Sequence, residues 1–172
     1  MAAFSFAVSQ LLEQEGELVD DPYDEGGITN FGISFRFYKS IIPNATPEDI
    51  RVLTRQDAIE IYQKHFWNES RWAEINSQLI ANKAFDMHVN MGLAPAIKII
   101  QRAIFSIYGE YHKILDDGIF GDQTLSFVNS TPTELLTIAI RSERAGYYRE
   151  IALRNPTQQA HLEGWLSRAY RI

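Results

Sequence analysis

Apolar residues recur at helical spacing through most of the chain. Phe4, Val8, Leu11 and Leu12, followed by Glu15, fall on one face of a predicted helix over residues 4 to 15, with Gly16 as its stop. Residues 17 to 34 break the pattern. They are rich in Asp, Gly and Pro, and predict a loop or small β-hairpin turning at Gly26-Gly27. Helical signals then return. Thr46 precedes Pro47 as cap and first helical residue. Thr54 with Asp57 three residues on resembles a capping box, and Ala58, Ile61, Tyr62 and His65 follow at helical spacing. The run LIANKAFDMHVNMG predicts a helix closed by Gly92, and PAIKIIQRAIFSIYG a buried one from Pro95 to Gly109. DDGIFGDQT is a turn-rich break before a short helix. Thr131, Pro132 and Glu134 then open a long helix to about Leu153, with Thr131 as cap and Pro132 as first helical residue. Asn155-Pro156 ends it, and a last helix carries Trp165 and Arg168. The pattern is mainly α, with seven or eight helices and one short β element near the N-terminus.

Composition narrows the class. A chain of 172 residues with 45% hydrophobic and 12% aromatic residues can bury a sizeable core, as one compact domain or a domain with a small satellite. The net charge of −6 argues against non-specific nucleic-acid binding, which depends on Lys and Arg neutralising phosphates. The absence of cysteine excludes disulfides, thiolate metal sites and cysteine nucleophiles. The N-terminus has no positively charged n-region, and Ser9, Gln10 and Glu13 interrupt its apolar residues, so no secretory signal peptide is expected. No stretch is long and apolar enough to cross a bilayer. His65, His88, His112 and His161 show no metal-ligand spacing, and no phosphate loop is present; neither a metal nor another cofactor is expected.

The acidic segment after the first helix carries the candidate chemistry. Glu15 sits at the expected helix end, where desolvation and the negative end of the helix dipole would both raise its pKa. A raised pKa suits a general acid. Asp20, Asp21, Asp24 and Glu25 follow on the loop, with Thr29 beyond, and Gly26-Gly27 would allow a tight turn or close approach of a ligand to backbone. A second carboxylate facing Glu15 is the arrangement that glycosidic cleavage uses. A solvated acidic loop with turn-capping Asp residues is the other reading, and composition alone favours it.

The order of the residues shifts that balance. EGELVDDPYDEGGITNFGIS closely resembles the signature E-G-G-Y-x-x-D-P-x-D-x-G-G-x-T-x-x-G-I-[ST] of glycoside hydrolase family 108, the lysozyme-like N-acetylmuramidases of phages and bacteria. The matches are Glu15, Gly16, Asp21, Pro22, Asp24, Gly26, Gly27, Thr29, Gly32, Ile33 and Ser34. FDMHVNMG resembles the family's helix, and IIQRAI, DGIFGDQT and the Tyr147-Tyr148 and GWLSR stretches resemble the peptidoglycan-binding module that follows it. The loop is also similar to the E-x8-D-x5-T arrangement of phage lysozymes, although Thr29 comes one residue early. Glu17 and Leu18 stand where the family has Gly and Tyr.

This resemblance implies a lysozyme-like α+β fold, mainly α, with a short β-hairpin near the N-terminus and a helical C-terminal lobe. It implies a catalytic part over residues 1–80 and a peptidoglycan-binding part over 81–172, packed as one compact unit. The implied activity is peptidoglycan hydrolysis at the β-1,4 bond between N-acetylmuramic acid and N-acetylglucosamine. Glu15 would be the catalytic acid, Asp24 would orient water or stabilise the oxocarbenium-like transition state, and Thr29 would help place the water. Asp21, Gly26, Gly27 and Asn30 would contact the glycan. The partner is bacterial peptidoglycan, reached through a holin or a dedicated export route. A lytic transglycosylase and a non-catalytic wall-binding or secretion-accessory protein are the alternatives, the second because Glu17 departs from the signature.

Two further groups stay open. Asp86 and Asn90, four apart on one helix face, are either a polar strip along a sugar cleft or a buried hydrogen-bond network. Tyr147 and Tyr148 are adjacent and cannot share a helix face; one of them, taken as Tyr148, would line a binding groove. Trp165 is expected in the core, while Trp67 and Trp72 are candidates for either core or sugar stacking.

Overall fold

The computed structural model describes residues 1–14, Leu18, 27–110 and 114–171. Among them are nine α-helices and one two-stranded antiparallel hairpin, the mainly helical class expected, and the chain divides into two units. One comprises Ala3–Ser70, the other Met1–Ala2 with Arg71–Ile172.

In the first unit, α1 (Phe4–Gln14) buries Ala7, Val8 and Leu11, and Phe4 packs its ring on Trp67 at 5.6 Å. The hairpin pairs β1 (Thr29–Asn30) with β2 (Ile33–Ser34), so its two-residue turn is Phe31-Gly32. The expected turn at Gly26-Gly27 is thus displaced: Gly27 leads into the first strand, and Gly26 lies outside the described residues. Both turn residues have positive φ, 51° and 77°, the requirement of a tight hairpin turn that matches strand twist. Gly32 meets it freely, whereas Phe31 is held there. Its carbonyl accepts from the Tyr62 hydroxyl at 2.9 Å, and Tyr62 is buried on α4 (Arg55–Tyr62). The neighbouring strand residue Asn30 is buried and donates from its amide to Ile50 O at 3.0 Å, at the end of α3 (Pro47–Arg51). Ser34 closes the hairpin and caps α2 (Phe35–Ile41), a helix the hydrophobic pattern does not announce because none of its residues is buried.

Thr54 and Asp57 form the expected capping box on α4, and Thr46 and Asp49 form a second one on α3. Past Tyr62, α4 widens into a π-turn over Gln63–Trp67 that delivers buried Trp67.

In the second unit, α5 (Gln78–Met91) and α6 (Leu93–Tyr108) are joined by Gly92 alone, at φ 92°. Helix α6 begins two residues before Pro95, which still falls in the first turn where a missing N–H costs no helical bond. It buries Ile97, Ile99, Ile100 and Ile104. Trp72 is fully buried and stacks edge-on against Phe120 at 5.0 Å, which places it in the core.

The DDGIFGDQT turn is organised from within by Gln101, a buried side chain on α6. Its Nε2 donates to Asp117 Oδ1 at 2.8 Å and Ile119 O at 3.0 Å, and its Oε1 accepts from Gly118 N at 3.0 Å. Helix α7 (Asp122–Ser130) follows. Helix α8 (Thr133–Arg154) starts one residue later than expected: Pro132 stays extended, and the Thr131 hydroxyl donates to Phe127 O at 2.6 Å instead of capping α8. A 3-10 turn over Pro156–His161 leads to α9 (Leu162–Tyr170).

Two glycines should respond in opposite directions. A Cβ at Gly118, where φ is +78°, would meet Ala94 Cβ at 3.3 Å and Ala94 O at 3.4 Å, so Gly118→Ala should lower stability by about 1–3 kcal/mol. Gly146 lies inside α8 with nothing within 4 Å of an added Cβ, so Gly146→Ala should raise it by about 0.5–1 kcal/mol. Denaturant unfolding of the two variants reads both signs.

Candidate functional site

The candidate residues fall into two sets. Around the acidic segment, Glu15, Asp21, Asp24 and Gly26 lie outside the described residues, as does Glu17. Helix α1 is described as far as Gln14, the residue before Glu15. Gly27 has φ +69°, and among the described residues the Thr29 hydroxyl donates to its carbonyl at a long 3.4 Å, a weak bond that a stronger partner could replace. Asn30 is directed inward, with its amide nitrogen committed to Ile50 O and Leu53 O.

The second set is brought together in the Arg71–Ile172 unit. Asp86 and Asn90 lie one turn apart on α5, Arg144 and Tyr148 one turn apart on α8, and Arg168 on α9. Arg144 donates through Nη1 to Asp86 Oδ2 at 2.6 Å. Its Nε and Nη2 both donate to the Tyr148 hydroxyl, at 3.2 and 3.0 Å, and that hydroxyl donates to Asn90 Oδ1 at 2.6 Å. Arg168 Nη2 reaches the other Asp86 oxygen at 2.8 Å. Arg144 is 3% exposed and Tyr148 is 2% exposed. These are the burial and the bonding of a polar network that is buried at Arg144 and Tyr148 and reaches the surface at Asn90. Trp165 stacks on Tyr148 at 5.4 Å and His161 on Trp165 at 5.8 Å, so the network is lidded by aromatic rings. Of the adjacent tyrosines, Tyr147 lines a groove between α6 and α8, and Tyr148 is turned into the network.

Electrostatics follows from the packing. Burial pushes the Asp86 carboxyl up, but Arg144 and Arg168 outweigh burial and hold it below the usual carboxylate range. Burial raises the Tyr148 phenol, assisted by Asp86 and opposed by Arg144. Lys83, one turn before Asp86 and 7% exposed, donates to Arg171 O at 2.7 Å. Burial, then Arg141 and Arg144, pull its ammonium down to about 8 against the opposing pull of Asp86. Arg144 and Lys83 are absent from the sequence-level candidates. Arg144 could have been flagged, because it shares the inward register of α8 with Ile140 and Tyr148, and a cation at a core position requires a buried partner.

The comparisons with known proteins divide the chain at the α5–α6 joint. Residues 8–92 match the family model described as Glycosyl hydrolase 108, and residues 95–170 the one described as Predicted Peptidoglycan domain. Among solved structures, the chain is similar to that described as "Structure of Brucella abortus SagA", at 22% identity and a TM-score of 0.72, over 96% of this chain and 92% of that one. No curated protein matches the chain. Helix α5 therefore belongs to the first family segment by sequence and to the Arg71–Ile172 unit by packing.

Removing the Asp86 charge should take the shared counter-ion from two arginines. Asp86→Asn is expected to cost about 3–5 kcal/mol at pH 7. Because the folded pKa of Asp86 is depressed, its contribution is present above the ordinary carboxylate range and lost as pH falls through the lowered value. Asp86→Asn should therefore flatten the acid side of the stability profile. Lys83 acts at the other end. Its contribution is complete above its ordinary value of 10.5 and is lost as pH falls through about 8, so stability should rise across that window, and Lys83→Met should remove the rise. Chemical denaturation at a series of pH values tests both.

Proposed function

The chain belongs to the glycosyl hydrolase 108 family and carries a peptidoglycan-binding module behind its hydrolase segment, and on that premise we propose that it is an N-acetylmuramidase with Glu15 as general acid. The coarser statement, a glycoside hydrolase directed at peptidoglycan, follows from the two matches together. The finer one rests on a single observation: the dense run from Glu15 to Ser34 lies inside the segment matched to the hydrolase family and carries Glu15, Asp24, Gly26, Gly27 and Thr29 in the order of the family signature.

In this reading Glu15 protonates the glycosidic oxygen as the bond to N-acetylglucosamine breaks. Asp24 stabilises the positive charge growing on the muramyl ring or orients the incoming water. Thr29 supplies a hydroxyl to that water, consistent with its weak hold on Gly27 O. Asp21, Gly26 and Gly27 approach the sugar along the loop. Asp86 and Tyr148 serve the fold, since their polar atoms are spent on Arg144, Arg168 and Asn90, while Asn90 is itself exposed and is the member of the group placed to meet the glycan. Cutting falls to the first part of the chain and holding the wall polymer to the helical remainder. No described helix is long and apolar enough to cross a membrane, and a holin or export route delivers the protein to the wall.

Clearing of purified peptidoglycan tests the assignment. Glu15→Gln should slow it by about 100-fold or more, the scale of a lost general acid. Equal clearing by the variant would remove Glu15 from the mechanism. Mass spectra of the products should show reducing muramic acid ends; anhydro ends alone would make the enzyme a lytic transglycosylase.

A further inference from the structure

The outer seam between α6 and α8 carries a groove of about 430 Å³, within the size range of ligand sites. Each helix gives it one stripe at i, i+3, i+4, i+7: Pro95 to Arg102 from α6, and Tyr147 to Arg154 from α8. The whole groove lies within the residues matched to the peptidoglycan domain. Its floor is apolar, with Ile99 and Ile151, and Tyr147 offers a half-buried ring. Lys98, Arg102 and Arg154 bring three positive charges against the single carboxylate of Glu150. That sign is opposite to the net charge of −6 on the whole chain.

The cations are held loosely. Arg154 pairs with Glu150 at 2.6 Å, but their side chains are 78% and 46% exposed. Arg102 pairs with Asp116 at 2.7 Å, also at the surface. Exposed pairs of this kind are weak, so a ligand carboxylate can replace the internal partner at little cost. Beyond Arg102 a second hollow of about 260 Å³ continues past Phe105 and Leu115, both exposed apolar side chains. The trough thus reads ring and apolar floor, three clustered cations against the two carboxylates of Glu150 and Asp116, then an end rich in apolar side chains.

We propose that this trough binds the stem peptide of peptidoglycan, not the glycan strand. A stem peptide alternates small methyl side chains with free carboxylates and carries an amine on its dibasic residue. The carboxylates match Lys98, Arg102 and Arg154, the amine matches Glu150, and the methyls match the apolar floor and end. A neutral sugar chain would leave the three cations without a use, and a polyphosphate would be repelled by Glu150. The inference rests on the reading of the chain as a peptidoglycan hydrolase, and it adds a peptide contact distant in sequence from Glu15.

The test is an NMR titration of the full-length labelled protein with a free stem tetrapeptide containing diaminopimelate, and in parallel with chitotetraose. The peptide should shift the amides of Lys98, Tyr147 and Glu150. Lys98→Glu should weaken it at least tenfold, and Arg154→Glu, at a highly exposed position, provides an independent second variant. Shifts from chitotetraose alone, or unchanged peptide affinity in both variants, would overturn the proposal. Clearing by Glu15→Gln separates the two readings. If that variant clears peptidoglycan like the parent while the peptide still maps to the trough, the acid assignment fails and the trough stands. If the variant is inactive and the peptide binds nowhere, the trough fails and the hydrolase stands.

Discussion

The carboxylate of Asp86 is the constraint around which the larger unit is arranged. It sits between two guanidinium groups, from Arg144 on α8 and Arg168 on α9, while its own helix, α5, closes the segment matched to the hydrolase family. Charges placed this deep are tolerable only when every lone pair and N–H has a partner. The structure adds partners from one further residue on each of two helices. Tyr148 accepts two further N–H groups of Arg144, from Nε and Nη2, and Asn90 accepts the proton of Tyr148. Helices α5, α8 and α9 are thereby fixed in one register, because a shift of any of them would expose an unpaired ion to the core. Sequence belonging to one family is thus locked by ionic contact to sequence belonging to the other.

The same logic operates at Gln101, without charge. A single buried amide satisfies both the donor and the acceptor needs of the Asp117–Ile119 turn, and the turn in turn seats Gly118 against Ala94. Burial of a polar group becomes a positional device once its bonds are complete. Together, the Asp86 network and Gln101 settle the inner faces of α5, α6 and α8, and the α6–α8 seam is left facing solvent.

Local chemistry was legible wherever a residue acts on its own backbone. The Thr54–Asp57 box, the helix stops at Gly92 and Gly109, and the break at DDGIFGDQT all lie where propensity and capping place them. The fold class was legible for the same reason. What escaped depends on contacts distant in sequence. Gly26-Gly27 looked like the hairpin turn because two glycines are the cheaper turn. Phe31 can adopt positive φ in the turn because Tyr62, 31 residues on, holds its carbonyl. Thr131 looked like a cap until the end of α7 and Tyr108 claimed its hydroxyl. Asp86 and Asn90 could be read as a strip or a network because their spacing is the same in both; Arg144 and Arg168, 58 and 82 residues away, decide how they are spent. The acidic segment was legible only as an ordered signature, since its composition is that of any solvated loop.

Adjacent tyrosines on α8 bring these threads together. Successive helical residues point about 100° apart, so Tyr148 and Tyr147 project from the same turn in different directions. Tyr148 is bound into the ionic core by three hydrogen bonds, whereas Tyr147 faces the groove with Glu150 and Arg154. The contrast in charge is energetic as well as spatial. Inward, Asp86 and its arginines are largely withdrawn from water, bonded to one another at close range and costly to disturb. Outward, Arg102 and Arg154 are hydrated, weakly paired and cheap to redirect. The binding proposed for this seam would need both properties at once: a rigid inner face, so that the outer stripe keeps its spacing, and outer charges free to exchange one carboxylate for another. The stem peptide proposed for the trough would draw on that second property alone and leave the Asp86 network untouched.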